Sequence, residues 1–208
     1  MHPTRFFAAA LTLTAAAWPL MSDNAFAAGS PYVGAFVGYV SMDPTARDGS
    51  GGPVSYSADG ATGGVQAGYD WNFGQYAIGV VADIAGDEVR GTSYDSSGPV
   101  IFKIDQQWDA SFRARFAYPM QGFTPYLTGG LAYAQFESKY SQVGLPFFVT
   151  DFDRTGWTLD AGVEVPMSGT MSLSAEYRYA DYGSDGTLPD GPYKLTTNRV
   201  TLGVNYGF

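Results

Sequence analysis

The side chains able to do chemistry in this sequence are carboxylates and guanidinium groups set at every second position. Trp108-Asp-Ala-Ser-Phe-Arg-Ala-Arg-Phe116, Trp157-Thr-Leu-Asp-Ala-Gly-Val-Glu164 and Ser174-Ala-Glu-Tyr-Arg178 alternate charged or small residues with apolar ones. Paired carboxylates can serve acid–base hydrolysis. A carboxylate beside Arg is held ionised, however, which is wrong for a general acid. The sole His is His2 and there is no Cys, so the chain past residue 2 lacks both an imidazole to activate a hydroxyl and a thiolate. No catalytic, cofactor-binding or metal-ligating set is predicted. Instead, Arg113, Arg178 and Arg199 are expected to neutralise Asp83, Asp160 and Glu176 in one network that plugs an enclosed bore, with Asp70, Arg115 and Glu164 lower down. Charges taken out of water must be paired, and the planar Arg fork can bridge two carboxylates.

The elements that must position these groups are strands. Period-two runs fall at Tyr32–Met42, Gly63–Phe73, Tyr76–Gly86, Ile104–Tyr118, Thr124–Tyr140, Thr155–Val165, Thr170–Asp181 and Lys194–Phe208. Between them, Gly74-Gln75, Pro119–Phe123 and Pro166–Gly169 are tight. Asp43–Thr62, Asp87–Lys103, Ser141–Arg154 and Tyr182–Tyr193 are long and rich in Gly, Ser and Asp. This alternation of long and short connections predicts an all-β fold, an eight-stranded antiparallel up-and-down transmembrane β-barrel with brief periplasmic turns and extended outside loops. An even strand count puts both termini on the periplasmic side.

Each strand divides cleanly into two faces. Val65, Ala67, Tyr69, Trp71 and Phe73 oppose Gly64, Gln66, Gly68, Asp70 and Asn72; Val200, Leu202, Val204, Tyr206 and Phe208 oppose Arg199, Thr201, Gly203 and Asn205. A soluble barrel would turn the apolar face inward. Eight strands leave an interior that side chains just fill, and Trp and Tyr faces from every strand would overfill it. Arg facing acyl chains would cost roughly 2–4 kcal/mol at the bilayer midplane. The apolar faces are therefore expected outside, with Phe73, Tyr76, Tyr118, Phe123, Tyr126 and Phe208 in the periplasmic aromatic girdle.

The first 28 residues read as a cleaved signal peptide, leaving the barrel at 29–208. Arg5 gives a positive start, Phe6 to Met21 is almost wholly apolar, and Asn24-Ala-Phe-Ala-Ala28 offers small residues for cleavage after Ala27 or Ala28. The net charge of −9 argues against nucleic acid as a partner, since counterion release needs basic residues.

Five stretches carry a resemblance: Gly64-Val-Gln-Ala-Gly-Tyr-Asp-Trp71, Tyr126-Leu-Thr-Gly-Gly-Leu-Ala-Tyr133, Gly156-Trp-Thr-Leu-Asp-Ala-Gly-Val-Glu164, Ala175-Glu-Tyr-Arg-Tyr-Ala-Asp181 and Arg199-Val-Thr-Leu-Gly-Val-Asn-Tyr-Gly-Phe208. Together they resemble the eight-stranded outer-membrane protein β-barrel family, the OmpA-like and porin-family surface proteins of Gram-negative bacteria. The resemblance implies a monomer set among outer-membrane lipid and lipopolysaccharide. It also implies that the end of the chain, Tyr206 and Phe208, acts as the assembly signal read by the barrel-assembly machinery. The family shares no catalytic residues. The expected role is a structural one in envelope integrity; a narrow passive channel for small solutes and an adhesin are the alternatives. Among the loops, Asp43, Asp48 and Asp59 with Gly49-Ser-Gly-Gly52 lack the spacing of a calcium loop. Val143-Gly-Leu-Pro-Phe-Phe-Val149 is an apolar run that could contact a host or phage surface, fold over the barrel mouth or lie on lipid.

Overall fold

The computed structural model describes residues 29–43, 45–47, 53–55, 58–94, 100–142, 148–185 and 193–208. Ten strands follow in chain order: β1 (Gly29–Met42), β2 (Thr45–Arg47), β3 (Pro53–Ser55), β4 (Ala58–Asn72), β5 (Ala77–Tyr94), β6 (Val100–Ala117), β7 (Thr124–Gln142), β8 (Phe148–Ser168), β9 (Met171–Asp185) and β10 (Tyr193–Gly207). Eight of them, β1 and β4 to β10, pair antiparallel with their sequence neighbours, and β1 closes the cylinder against β10. The two three-residue strands β2 and β3 form a small appendage held at Thr45↔Lys194.

The predicted alternation is what the barrel uses. Val37, Val65, Phe112, Leu127, Leu131, Leu159 and Leu202 face outward and are exposed, whereas Arg113, Asp160, Arg178 and Arg199 are buried. An exposed apolar band around a charged interior is the reverse of a soluble barrel. Tight turns follow β4 and β6, where Gly74 and Gly122 take φ of +84° and +86°, a region open to Gly at no steric cost. Phe73 N–H donates to the Tyr76 carbonyl at 2.8 Å, and Met120 N–H to the Phe123 carbonyl at 2.9 Å.

At the other end the strands run further than their sequence suggests. Residues 87–94 and 100–103, expected in a loop, are strand; so are 148–154 and 58–62. Pairing continues as far as Tyr94↔Ile101 and Tyr140↔Phe148. Their polar composition misleads because in this upper part the rule for the two faces inverts. Val40, Met42, Ala58, Val89, Phe136, Tyr182 and Leu195 point inward and are buried, while Asp43, Asp59, Glu88, Gln107, Asp151 and Asp153 are exposed. The protruding end is built like a water-soluble barrel, and the lower part like a lipid-facing one. Residues 1–28, most of the first loop including Asp48 and Gly49–Gly52, and 143–147 of the apolar run lie outside the described residues.

Candidate functional site

The lumen is stacked in four levels, ordered by the pairing register from the short turns upward. At the lowest, Arg115 on β6 donates to Glu164 at 2.7 Å and lies 3.4 Å from Asp70. Its guanidinium carbon sits 4.2 Å from the ring centre of Tyr126 and 5.5 Å from that of Tyr32. Both rings supply cation–π contact, and the Tyr32 hydroxyl accepts from Arg115 at 3.3 Å. This level corrects one expectation. Tyr126 belongs to the inward face of β7 with Thr128, Gly130, Ala132 and Ala134, and is only 6% exposed, so it is a luminal residue and no part of the outer girdle. Phe73, Tyr76, Tyr118, Phe123 and Phe208 are outward and exposed.

The second level brings together five of the six predicted residues. Asp160 stands opposite Thr128 and Arg178 on its two neighbouring strands, and Asp83 opposite Ser111. Arg113 donates to Asp83 at 2.6 Å, to Asp160, and to Glu176 at 3.2 Å. Arg178 reaches the same three carboxylates at 3.0, 3.2 and 3.1 Å. Hydroxyls complete the shell: Ser111 donates to Asp83 at 2.5 Å, Thr128 to Asp160 at 2.8 Å, and Tyr126 to Glu176 at 3.2 Å. The side chains of Arg113, Asp83 and Asp160 have no exposed surface. Every carboxylate of this level is paired with a guanidinium, the condition for keeping ions out of water, although the buried Nε of Arg113 has no hydrogen-bond partner.

The sixth predicted residue, Arg199, goes elsewhere. It stands directly opposite Arg178 in the β9–β10 ladder, where like charges repel, and the two guanidiniums diverge. Arg199 donates to Asp87 at 3.2 Å and to Asp109, forming a third level. Gln106 donates to the same pair at 2.7 and 3.1 Å. Arg178 approaches Asp109 at 4.0 Å and so links the two levels. Two features set this group apart from the expected network: Arg199 is placed directly opposite Arg178, and Asp87 lies on β5 although the sequence predicts it in a loop. Gln106 was hidden by the irregularity between Gln106 and Trp108, which lets residues three apart share the inner face.

Above lies an apolar level with no counterpart in the sequence reading. Val40, Met42, Ala58, Val89, Ala134, Phe136, Ala180, Tyr182 and Leu195 form one buried cluster with Phe152 packed on it. Phe136 stacks on Phe152 at 5.5 Å and meets the edge of Tyr182 at 5.6 Å. The periodicity that put these positions inside was visible, but their apolar character reads as lipid-facing once an inside-polar rule is applied throughout.

A small cavity with room for a water-sized molecule remains beside the second level, lined by Gln66, Tyr126 and Ser174 from below and by Glu176, Arg178 and Arg199. In the three charged levels, the carboxylates of Asp70, Asp83, Asp87, Asp109, Asp160, Glu164 and Glu176 outnumber the guanidiniums of Arg113, Arg115, Arg178 and Arg199 by seven to four; a further guanidinium, Arg154, lies over the Phe152 ring at the apolar level. Among the described residues no group of three or more His, Cys, Asp or Glu side chains is placed to hold a metal ion.

The model of the outer membrane protein beta-barrel domain matches residues 6–208. The chain belongs to this family. It is 29% identical over 197 residues to the 31 kDa outer-membrane immunogenic protein of Brucella melitensis, covering 85% of this chain and 82% of that one. It is 36% identical over 154 residues to the 22 kDa outer membrane protein of Rhizobium leguminosarum bv. viciae, covering 72% and 67%. Among solved structures, the outer membrane protein OprG from Pseudomonas aeruginosa aligns with a TM-score of 0.51 at 14% identity, covering 88% of this chain and 97% of that chain. The last similarity is one of fold. For this member of the outer-membrane barrel family, the exposed apolar band is the surface that meets acyl chains, and the stacked lumen is the barrel's interior.

Proposed function

We propose that this outer-membrane barrel is a structural, surface-exposed protein that contributes to envelope integrity and has no catalytic activity. The observation that carries the reading is the lumen of the described residues, filled by three levels of paired charge under an apolar one. The second-level carboxylates Asp83, Asp160 and Glu176 are committed to Arg, Ser, Thr and Tyr donors, an arrangement that holds structure. In this reading the termini and short turns face the periplasm, and the long loops face outward, where the names of the Brucella relatives as immunogenic outer-membrane proteins suit an exposed surface. Tyr206 and Phe208, both exposed at the end of β10, serve as the assembly signal. The test is the current through refolded protein in planar bilayers: the reading expects negligible conductance, and a steady large conductance contradicts it. The surplus of luminal carboxylates favours one second reading, a narrow passive channel, and requires that any current it carries be cation-selective.

A further inference from the structure

The four luminal levels do not resist water and ions equally. Side-chain exposure falls from 22% at Glu164 and 16% at Asp70 in the lowest level to none at Arg113 and Asp160. The route upward from the short turns is lined by Arg115, Asp70, Tyr32, Asn205 and Gln66, all polar side chains that can bond to water, and buried polar atoms of Asp70, Arg115 and Asn205 have no protein hydrogen-bond partner. It ends at the cavity beside Ser174 and Glu176. The route down from the long loops is different in kind. It must pass Phe136, Tyr182, Leu195, Met42, Val40 and their neighbours, one buried cluster in which Phe136 contacts the rings of Phe152 and Tyr182 on β8 and β9. Water gains little there, and an ion would leave its hydration shell behind, which is how apolar constrictions gate by dewetting.

We propose that the seal of this barrel is the apolar septum around Phe136, and that the charged lumen beneath it is a one-sided chamber, hydrated from the short-turn end and open to small cations. The ion-pair levels fix the shape of the barrel; the septum closes it. The inference rests on the closed-lumen reading above and goes beyond it by dividing the two tasks between two sets of residues. The excess of carboxylates over guanidiniums makes the chamber attractive to cations and hostile to anions.

The chain has no Cys, so a single thiol reports on the chamber. Ser174→Cys places it at the cavity wall, and silver ion is a cationic thiol probe small enough for a water-sized passage. The protein is inserted in one orientation into phospholipid vesicles, the orientation being read by protease cleavage of the long loops. Silver ion is then applied to one side at a time, and initial rates are followed by loss of free thiol. Reaction is expected from the short-turn side and not from the long-loop side. Phe136→Ala with Leu195→Ala, added to Ser174→Cys, is expected to raise the long-loop rate to match the other side, whereas adding Arg178→Gln leaves it closed. Should the double substitution fail to show the heat-modifiable gel mobility of a folded barrel, Leu195→Ser alone is judged by the same rule. Reaction from the long-loop side with an intact septum, silence from both sides, or opening by Arg178→Gln alone overturns the proposal. A large wild-type current would instead count against the closed-lumen reading, so the two failures are distinguishable.

Discussion

Arg178 illustrates how much of the molecule depends on single luminal side chains. Its guanidinium is shared by Asp83, Asp160 and Glu176, and its removal leaves Arg113 as the one cation bonded to three carboxylates at this level. Breaking a buried pair by deleting one partner typically costs about 3–5 kcal/mol. Arg178→Ala is therefore expected to lower stability by about that amount, read as a lower temperature for the heat-modifiable gel shift. Conductance should stay low, because the septum is untouched. Unchanged thermal stability would show that the second level is dispensable. The Arg178 pairing was legible because Asp160 and Arg178 sit on strands whose alternation is unambiguous. Arg199 is not legible in the same way, because its partners depend on a repulsion from Arg178 that exists only once the ladder is assembled.

At the scale of elements, the barrel depends on glycines that let inward rings lie flat against the neighbouring strand. A methyl group at Gly68 would fall 2.3 Å from the Tyr32 ring, at Gly64 2.6 Å from Phe36, and at Gly162 2.4 Å from Tyr126. These three rings are what the sequence offers for filling space beside the charges, and each needs a partner strand without a side chain at that point. Gly162→Ala would also press within 2.8 Å of the Ala175 carbonyl oxygen on β9. It is expected to destabilise the barrel by about 1–3 kcal/mol, the usual cost of overpacking, measured by urea unfolding from vesicles. Adding Tyr126→Leu should recover part of that loss; no recovery would place the strain in the backbone instead.

The strands themselves were largely readable. Turn residues such as Gly74 and Gly122 marked the short connections, and β7 and β10 begin and end within two residues of expectation. Where the reading fell short, one physical cause recurs. A period-two pattern says which residues share a face but not which medium that face meets, and in this chain the medium changes along the strand. Val40 and Met42 on β1 and Phe136 on β7 are buried inside although residues of the same type lower down, such as Val37 and Leu131, are exposed outside. The stretch 87–94 reads as loop in the sequence because it is rich in Gly, Ser and Asp or Glu, although it continues β5.

For the whole molecule, the account joins an outer face made for acyl chains to a lumen that is filled and sealed. Removing Phe208, which packs edge-on against Tyr206 at 5.2 Å, is expected to reduce the amount of barrel in the outer membrane while leaving the refolded protein as heat-stable as the parent; a matching fall in stability would make the residue structural instead of an assembly signal. The claim on which the rest depends is that the outward apolar band meets lipid. It is tested most directly by folding into phospholipid vesicles with a single Arg placed on that band. Leu159→Arg and Leu202→Arg, at positions 57% and 65% exposed, are predicted to cost about 2–4 kcal/mol each, and Gln107→Arg above the band about 0–1 kcal/mol. Equal and negligible costs at all three positions, with the protein folding in water without lipid or detergent, would contradict the account.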